Sequence, residues 1–128
     1  MNPKVLIIED SNIMSRLWEM TFENEGFKVL VANSGKDGIQ VAKKEHPGLI
    51  LLDLMMPELD GFGVFESILA DEDTAKIPVV FFSNFSKAED REKAKRMGAV
   101  DFIIKSNILP DQLVERIKEI LAGKSFLK

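Results

Sequence analysis

Leu49-Ile50-Leu51-Leu52-Asp53 sets four consecutive aliphatic residues directly before a carboxylate, between the breaker pair Pro47-Gly48 and a loop spanning Met55–Gly61. Four apolar residues without polar alternation describe a strand covered on both faces, because a half-exposed strand alternates. Val5-Leu6-Ile7-Ile8 and Val79-Val80-Phe81-Phe82 repeat the pattern, the latter after Pro78. Val29–Ala32 and Phe102-Ile103-Ile104 bring the strand count to five. Between them, apolar residues recur at helical spacing. Met14, Leu17, Trp18, Thr21 and Phe22 run to a stop at Gly26, and Ile39, Val41 and Ala42 follow Ser34 with Asp37 three residues on. Val64, Phe65, Ile68 and Leu69 mark a third helix, and the charged segment Lys87–Met97 closes at Gly98. Leu113, Val114, Ile117, Ile120 and Leu121 form the last helix, with Pro110 near its start. Five strand-then-helix units predict a doubly wound α/β domain, a five-stranded parallel sheet with five helices on its two faces.

The whole composition agrees with one such domain. The chain has 128 residues, 45% of them hydrophobic and 30% charged, which suits a globular unit with a real core. No cysteine is present, which excludes disulfides, thiolate metal sites and cysteine nucleophiles, and fits a reducing, cytoplasmic compartment. No apolar run approaches the roughly 18 residues needed to span a bilayer, and Glu9 and Asp10 sit where a signal peptide would need an apolar stretch. A net charge of −4 argues against direct nucleic-acid binding, which needs a basic surface.

In a sheet of this kind ligands bind beyond the carboxyl ends of the strands, where strand order reverses. Glu9 and Asp10 follow the first strand, Asp53 the third, Ser83 and Asn84 the fourth, and Lys105 the fifth. Asp10 or Ser83, taken singly, reads equally well as a helix N-cap. Together, three carboxylates, a hydroxyl and an ammonium converge on one rim. Crowded carboxylates raise one another's pKa unless a cation joins them, and Mg²⁺ suits a site of few carboxylates with room for waters and a phosphoryl oxygen. A carboxylate nucleophile, a hard cation and an ammonium describe a phosphoryl-transfer site. Three carboxylates against one ammonium leave −2 in that pocket, half of the chain's net charge.

Glu9-Asp10, Asp53 within Asp53-Leu54-Met55-Met56-Pro57-Glu58-Leu59-Asp60-Gly61, Ser83, and Phe102-Ile103-Ile104-Lys105 resemble the receiver domain of two-component response regulators, in particular single-domain chemotaxis-type regulators. The resemblance covers roughly residues 4–122, and it implies a flavodoxin-like strand order 2-1-3-4-5. The domain is placed at residues 1–123, with 124–128 as a short tail or linker remnant. The resemblance implies that Asp53 is the phosphoacceptor, taking a phosphoryl group from a phosphohistidine on a sensor kinase or phosphotransfer protein. Asp10 and Asp53 would bind Mg²⁺ directly with the backbone carbonyl of Met55, and Glu9 would act through water. Lys105 would contact the phosphoryl oxygens. Ser83 would move toward them and free space for Phe102 to turn inward. That shift would change the face made by the fourth helix, fifth strand and fifth helix, where a downstream partner binds, with the protein a monomer or a phosphorylation-dependent dimer. Such a chain is a switch that assists its own phosphoryl chemistry, not a stand-alone enzyme.

Three positions depart from the family pattern. Ser106 follows Lys105 where many receivers have proline, so a trans bond is expected there, since a cis bond before a non-proline residue costs ~2.5–4 kcal/mol. Asn84 stands where a small residue is common and either narrows the approach to Asp53 or adds a donor. Met55 and Phe85, two residues beyond Asp53 and Ser83, would shield an acyl phosphate from water and slow its hydrolysis. Other readings are a receiver cut from a larger regulator or hybrid kinase, and an interaction module that no longer uses phosphate. A haloacid-dehalogenase-like phosphatase wants its nucleophile after the first strand, and a flavin-binding protein wants a less acidic first turn.

Overall fold

The unbroken apolar runs lie at the centre of a five-stranded parallel sheet in a computed structural model that describes residues 3–84 and 87–127. The strands are β1 (Lys4–Ile8), β2 (Lys28–Ala32), β3 (Leu49–Leu52), β4 (Val79–Ser83) and β5 (Asp101–Ile104). The helices are α1 (Asn12–Asn24), α2 (Gly35–Glu45), α3 (Gly61–Ala70), α4 (Ala88–Met97) and α5 (Pro110–Leu121). Strand order is β2-β1-β3-β4-β5, with every neighbouring pair parallel. The order reverses at β1, whose partners are β2 on one side and β3 on the other, and the crevice between the β1 and β3 ends is where Asp53 emerges.

Alternate residues of each central strand feed two separate cores. Leu6, Ile8, Ile50, Leu52, Val79 and Phe81 pack against α2, α3 and α4, whereas Val5, Ile7, Leu49, Leu51, Val80 and Phe82 pack against α1 and α5. Both faces are therefore covered, as a run without polar alternation requires. β2, an edge strand, is the exception: Val29, Leu30 and Val31 are only half-buried. Gly38 lets α2 lie against β1, because a Cβ there would stand 2.4 Å from Ile8 Cδ1.

The element limits differ from the sequence reading by single residues that matter. Ser83 ends β4 instead of following it, and Asp101, a poor strand former, opens β5 with its side chain fully buried. Ser11, not Asp10, caps α1, its hydroxyl accepting from the Met14 amide at 3.2 Å, and the residue before α4 is Lys87, so Ser83 is no cap either. Residues 124–127 do not trail away from the domain: the amides of Phe126 and Leu127 donate to the Val100 carbonyl. Among the described residues no helix is long and apolar enough to cross a membrane.

Candidate functional site

Four strand ends build the site. β1 delivers Glu9, the β1–α1 turn Asp10 and Ser11, β3 Asp53, β4 Ser83 and β5 Lys105. With Met14, Met55 and Asn84 they line a cavity of about 150 Å³. The backbone around it is firmly held. The Asp53 amide donates to the Ile8 carbonyl at 3.0 Å, and Asn33 Nδ2 donates to the Glu9 carbonyl at 2.9 Å. Gly61 closes the loop after Asp53, its amide on the Leu54 carbonyl at 2.8 Å; a Cβ there would stand 2.6 Å from the Asp53 carbonyl oxygen. Glycine at 61 is thus required by a close approach of backbone to backbone.

Glu9, Asp53, Ser83 and Lys105 are buried, and Asp10 is exposed at the rim. Lys105 Nζ donates to Glu9 Oε1 and lies 3.8 Å from Asp53 Oδ2. Glu9 Oε2 also accepts from the Ser11 amide at 3.1 Å, and Asp53 Oδ1 accepts from the Met55 amide at 3.3 Å. The single ammonium is therefore shared unequally. Burial pushes both carboxyls up. For Glu9 the Lys105 hydrogen bond, the Ser11 amide and the ammonium's charge outweigh that penalty and hold its pKa below the ordinary value. For Asp53 burial wins, Lys105 opposes it, and the neighbouring Glu9 charge adds to it, so its pKa rises to about 7.

Ligand oxygens of Glu9, Asp10 and Asp53 all lie within 4.8 Å of one another. Three hard oxygen donors with surplus negative charge could hold a Mg²⁺-sized cation. Of the three, Glu9 is already paired with Lys105. Met55 lies on the cavity wall beside them, where its carbonyl was expected among the ligands.

Comparison with known proteins decides the class. Residues 5–118 match the family model described as the response regulator receiver domain. The chain belongs to the response regulator receiver family. As a receiver it is 33% identical over 122 residues to Protein PilH of Pseudomonas aeruginosa, covering 94% of this chain and 98% of PilH. It is 31% identical over 121 residues to the polar-differentiation response regulator DivK of Brucella ovis, with 94% and 98% covered. It is also 35% identical over 118 residues to a probable transcriptional regulator, ycf27, of Porphyridium aerugineum. The receiver spans about half the length of that relative, 48%, while 92% of this chain is covered. Among solved structures, a response regulator from Desulfuromonas acetoxidans superposes with a TM-score of 0.83 at 28% identity, covering 94% of this chain and 97% of that one. The chemotaxis protein CheY4 of Vibrio cholerae reaches 0.87 at 22% identity, covering 94% and 99%, and shows the shared fold. A phosphoryl-accepting aspartate and Mg²⁺ are features of this family, and its members interact with histidine kinases and downstream effectors.

The residues singled out from sequence gather at one place, with two qualifications. Phe102, expected to turn inward as the switch operates, is already inside, 3% exposed and stacked on Phe81 with ring centroids 5.6 Å apart. Phe85, one of the two expected shields, lies outside the described residues, whereas Met55 stands at the rim, 56% exposed. The Lys105–Ser106 bond is trans, there being no cis bond among the described residues, and the chain continues as a short 3₁₀ turn, Lys105–Asn107. Sequence reasoning did not place Ser11 and Met14 at the site; the available signal was the first turn, where Ser11 caps α1 on the Met14 amide and both line the cavity.

Proposed function

We propose that this receiver is a cytoplasmic phosphorylation-dependent switch in which Asp53 takes a phosphoryl group from a phosphohistidine donor, a sensor histidine kinase or a phosphotransfer protein. The observation that carries the reading is the arrangement around Asp53: a buried carboxylate with a raised pKa, beside a second carboxylate that has captured the ammonium. Mg²⁺ bound by Asp10, Asp53 and the Met55 carbonyl, with Glu9 through water, would supply the positive charge that ionises Asp53 at neutral pH and balances the phosphoryl oxygens. Asp53 is then the nucleophile, and Lys105, 3.8 Å away, meets the charge that develops on the transferred group. Ser83, on the same wall, would hydrogen-bond a phosphoryl oxygen.

Phosphorylation would act outward through β4 and β5. Ser83 pairs in register with Ile104, and Phe81 with Phe102, so movement of the hydroxyl toward a phosphoryl group is felt on the switch strand. The surface of α4, β5 and α5 would then engage a downstream protein or a second copy, and the chain has no substrate other than its donor. Incubation with a small phosphodonor and Mg²⁺, followed by intact-mass measurement, tests the assignment. One phosphoryl group per chain is expected, and equal uptake by an Asp53→Asn variant would remove Asp53 from the role.

A further inference from the structure

β5 is the last strand of the sheet, so one of its sides lacks a strand partner. That side is finished by side chains and by the chain's own C-terminal segment. Asp101 Oδ1 accepts the Phe102 amide at 2.8 Å, Arg91 Nη1 donates to the Phe102 carbonyl at 3.0 Å, and the Val100 carbonyl accepts from Phe126 at 2.8 Å and Leu127 at 3.2 Å. Arg116 holds Asp101 from α5, with Nη2 on Oδ1 at 3.2 Å and Nε 2.8 Å from Oδ2. The Phe126 ring lies over that guanidinium, 3.8 Å from its central carbon to the ring centroid. Phe126 packs with the α1–α5 core and Leu127 with the opposite core, so the segment crosses the edge of the sheet from one face to the other.

We propose that residues 125–127 are a strap that holds β5 in the conformation with Phe102 inside, and so favours the phosphorylated form of the site. The proposal rests on Asp53 being the phosphoacceptor. The strap's backbone hydrogen bonds end on Val100, and its ring contact with Arg116 bears on Asp101, the two residues immediately before the one whose ring must stay inside. A three-residue segment with few contacts opens locally without unfolding the domain, which suits an element that tunes a switch. Coupling of this kind is reciprocal: if the strap favours the inward arrangement, occupancy of the phosphoryl site must tighten the strap by the same factor.

The test uses the full chain, a Phe126→Ala/Leu127→Ala double variant and a Phe126→Tyr variant that keeps an aromatic face over Arg116. Beryllofluoride binding with Mg²⁺ is measured by fluorine NMR, and exchange of the Phe126 and Leu127 amides is followed with and without it. The double variant should bind roughly 5–10-fold more weakly, at the low end of the usual range of coupling between sites. Phe126→Tyr should match the parent, and beryllofluoride should slow strap exchange in the parent by the same factor. Equal affinity in parent and double variant, or strap exchange in the parent indifferent to beryllofluoride, overturns the strap and leaves the phosphoacceptor reading standing. No beryllofluoride binding by the parent overturns that reading itself, and the coupling with it. The exchange arm needs no substitution, so a poorly folding variant does not protect the proposal.

Discussion

β5 carries a buried ionic group at each end, and the two are built on opposite plans. At its start Asp101 faces Arg116 one to one, and the carboxylate also takes the Phe102 amide. At its end Lys105 faces two buried carboxylates, pairs closely with Glu9 and leaves Asp53 at 3.8 Å. The first cluster is balanced and carries structure. The second holds surplus negative charge beside a cavity, with Asp10 adding more at the rim, and it reaches balance only when a cation or a proton arrives. An unbalanced buried site is costly to keep, which is a physical reason to read it as functional and the other as architectural.

The largest expected effect breaks the unbalanced cluster. Asp53→Asn should abolish phosphoryl uptake from a small phosphodonor, while an Arg116→Lys change at the other end should leave uptake in place; intact mass reads both. Next, Arg116→Ala should cost about 2–4 kcal/mol in urea unfolding, because it leaves a fully buried carboxylate without its cation, discounted for the partial exposure of Arg116 itself. A loss below about 0.5 kcal/mol, the usual range for surface substitutions, would place that pair with surface contacts.

The contrast sharpens with pH. Folded Asp53 keeps its proton up to about pH 7, whereas the unfolded carboxyl releases it near 4. The folded chain therefore binds more protons between those values, and this group's contribution to stability falls as pH rises from about 4 to about 7. Glu9 has the opposite sign: held low, it contributes stability above the ordinary carboxylate range that is lost as acid is added. Asp53→Asn should accordingly stabilise the protein by about 1–3 kcal/mol at pH 8 and much less near pH 4. Mg²⁺ should raise the parent's Tm more at pH 8 than at pH 5 and affect the variant little. The same stability difference at both pH values would count against the raised carboxyl. The smallest effect concerns the rim: Met55→Asn should shorten the lifetime of the phosphorylated form a few-fold, read by the decay of the phosphorylated mass, and an unchanged lifetime would leave Met55 a bystander.

What the amino-acid sequence makes legible follows the same divide. Val5–Ile8, Leu49–Leu52 and Val79–Phe82 announce a two-faced sheet because nothing polar interrupts them, and Glu9, Asp10, Asp53, Ser83 and Lys105 are legible because each stands where such a strand ends. The Asp101–Arg116 pair is not. Aspartate is a poor strand former, so Asp101 reads as turn, and its partner on α5 leaves no mark in local periodicity. The strap is hidden for a related reason: Phe126 and Leu127 sit among polar residues in what reads as a tail, and it is their contacts with the Val100 carbonyl and Arg116 that show where they go. Phe102 is legible as a position three residues before Lys105, but its inward packing on Phe81 depends on contacts with another strand.

Trp18, the chain's one tryptophan, stands edge-on to Phe82 with ring centroids 4.9 Å apart, and the Phe82 ring centroid in turn lies 5.5 Å from Lys105 Nζ. Trp18 is 4% exposed, so its indole is shielded from solvent, and one ring separates it from the ammonium that stands 3.8 Å from Asp53. Cation binding, phosphoryl transfer and its decay should therefore each change this one emission band without an attached dye, and an emission indifferent to Mg²⁺ and a small phosphodonor would count against that coupling.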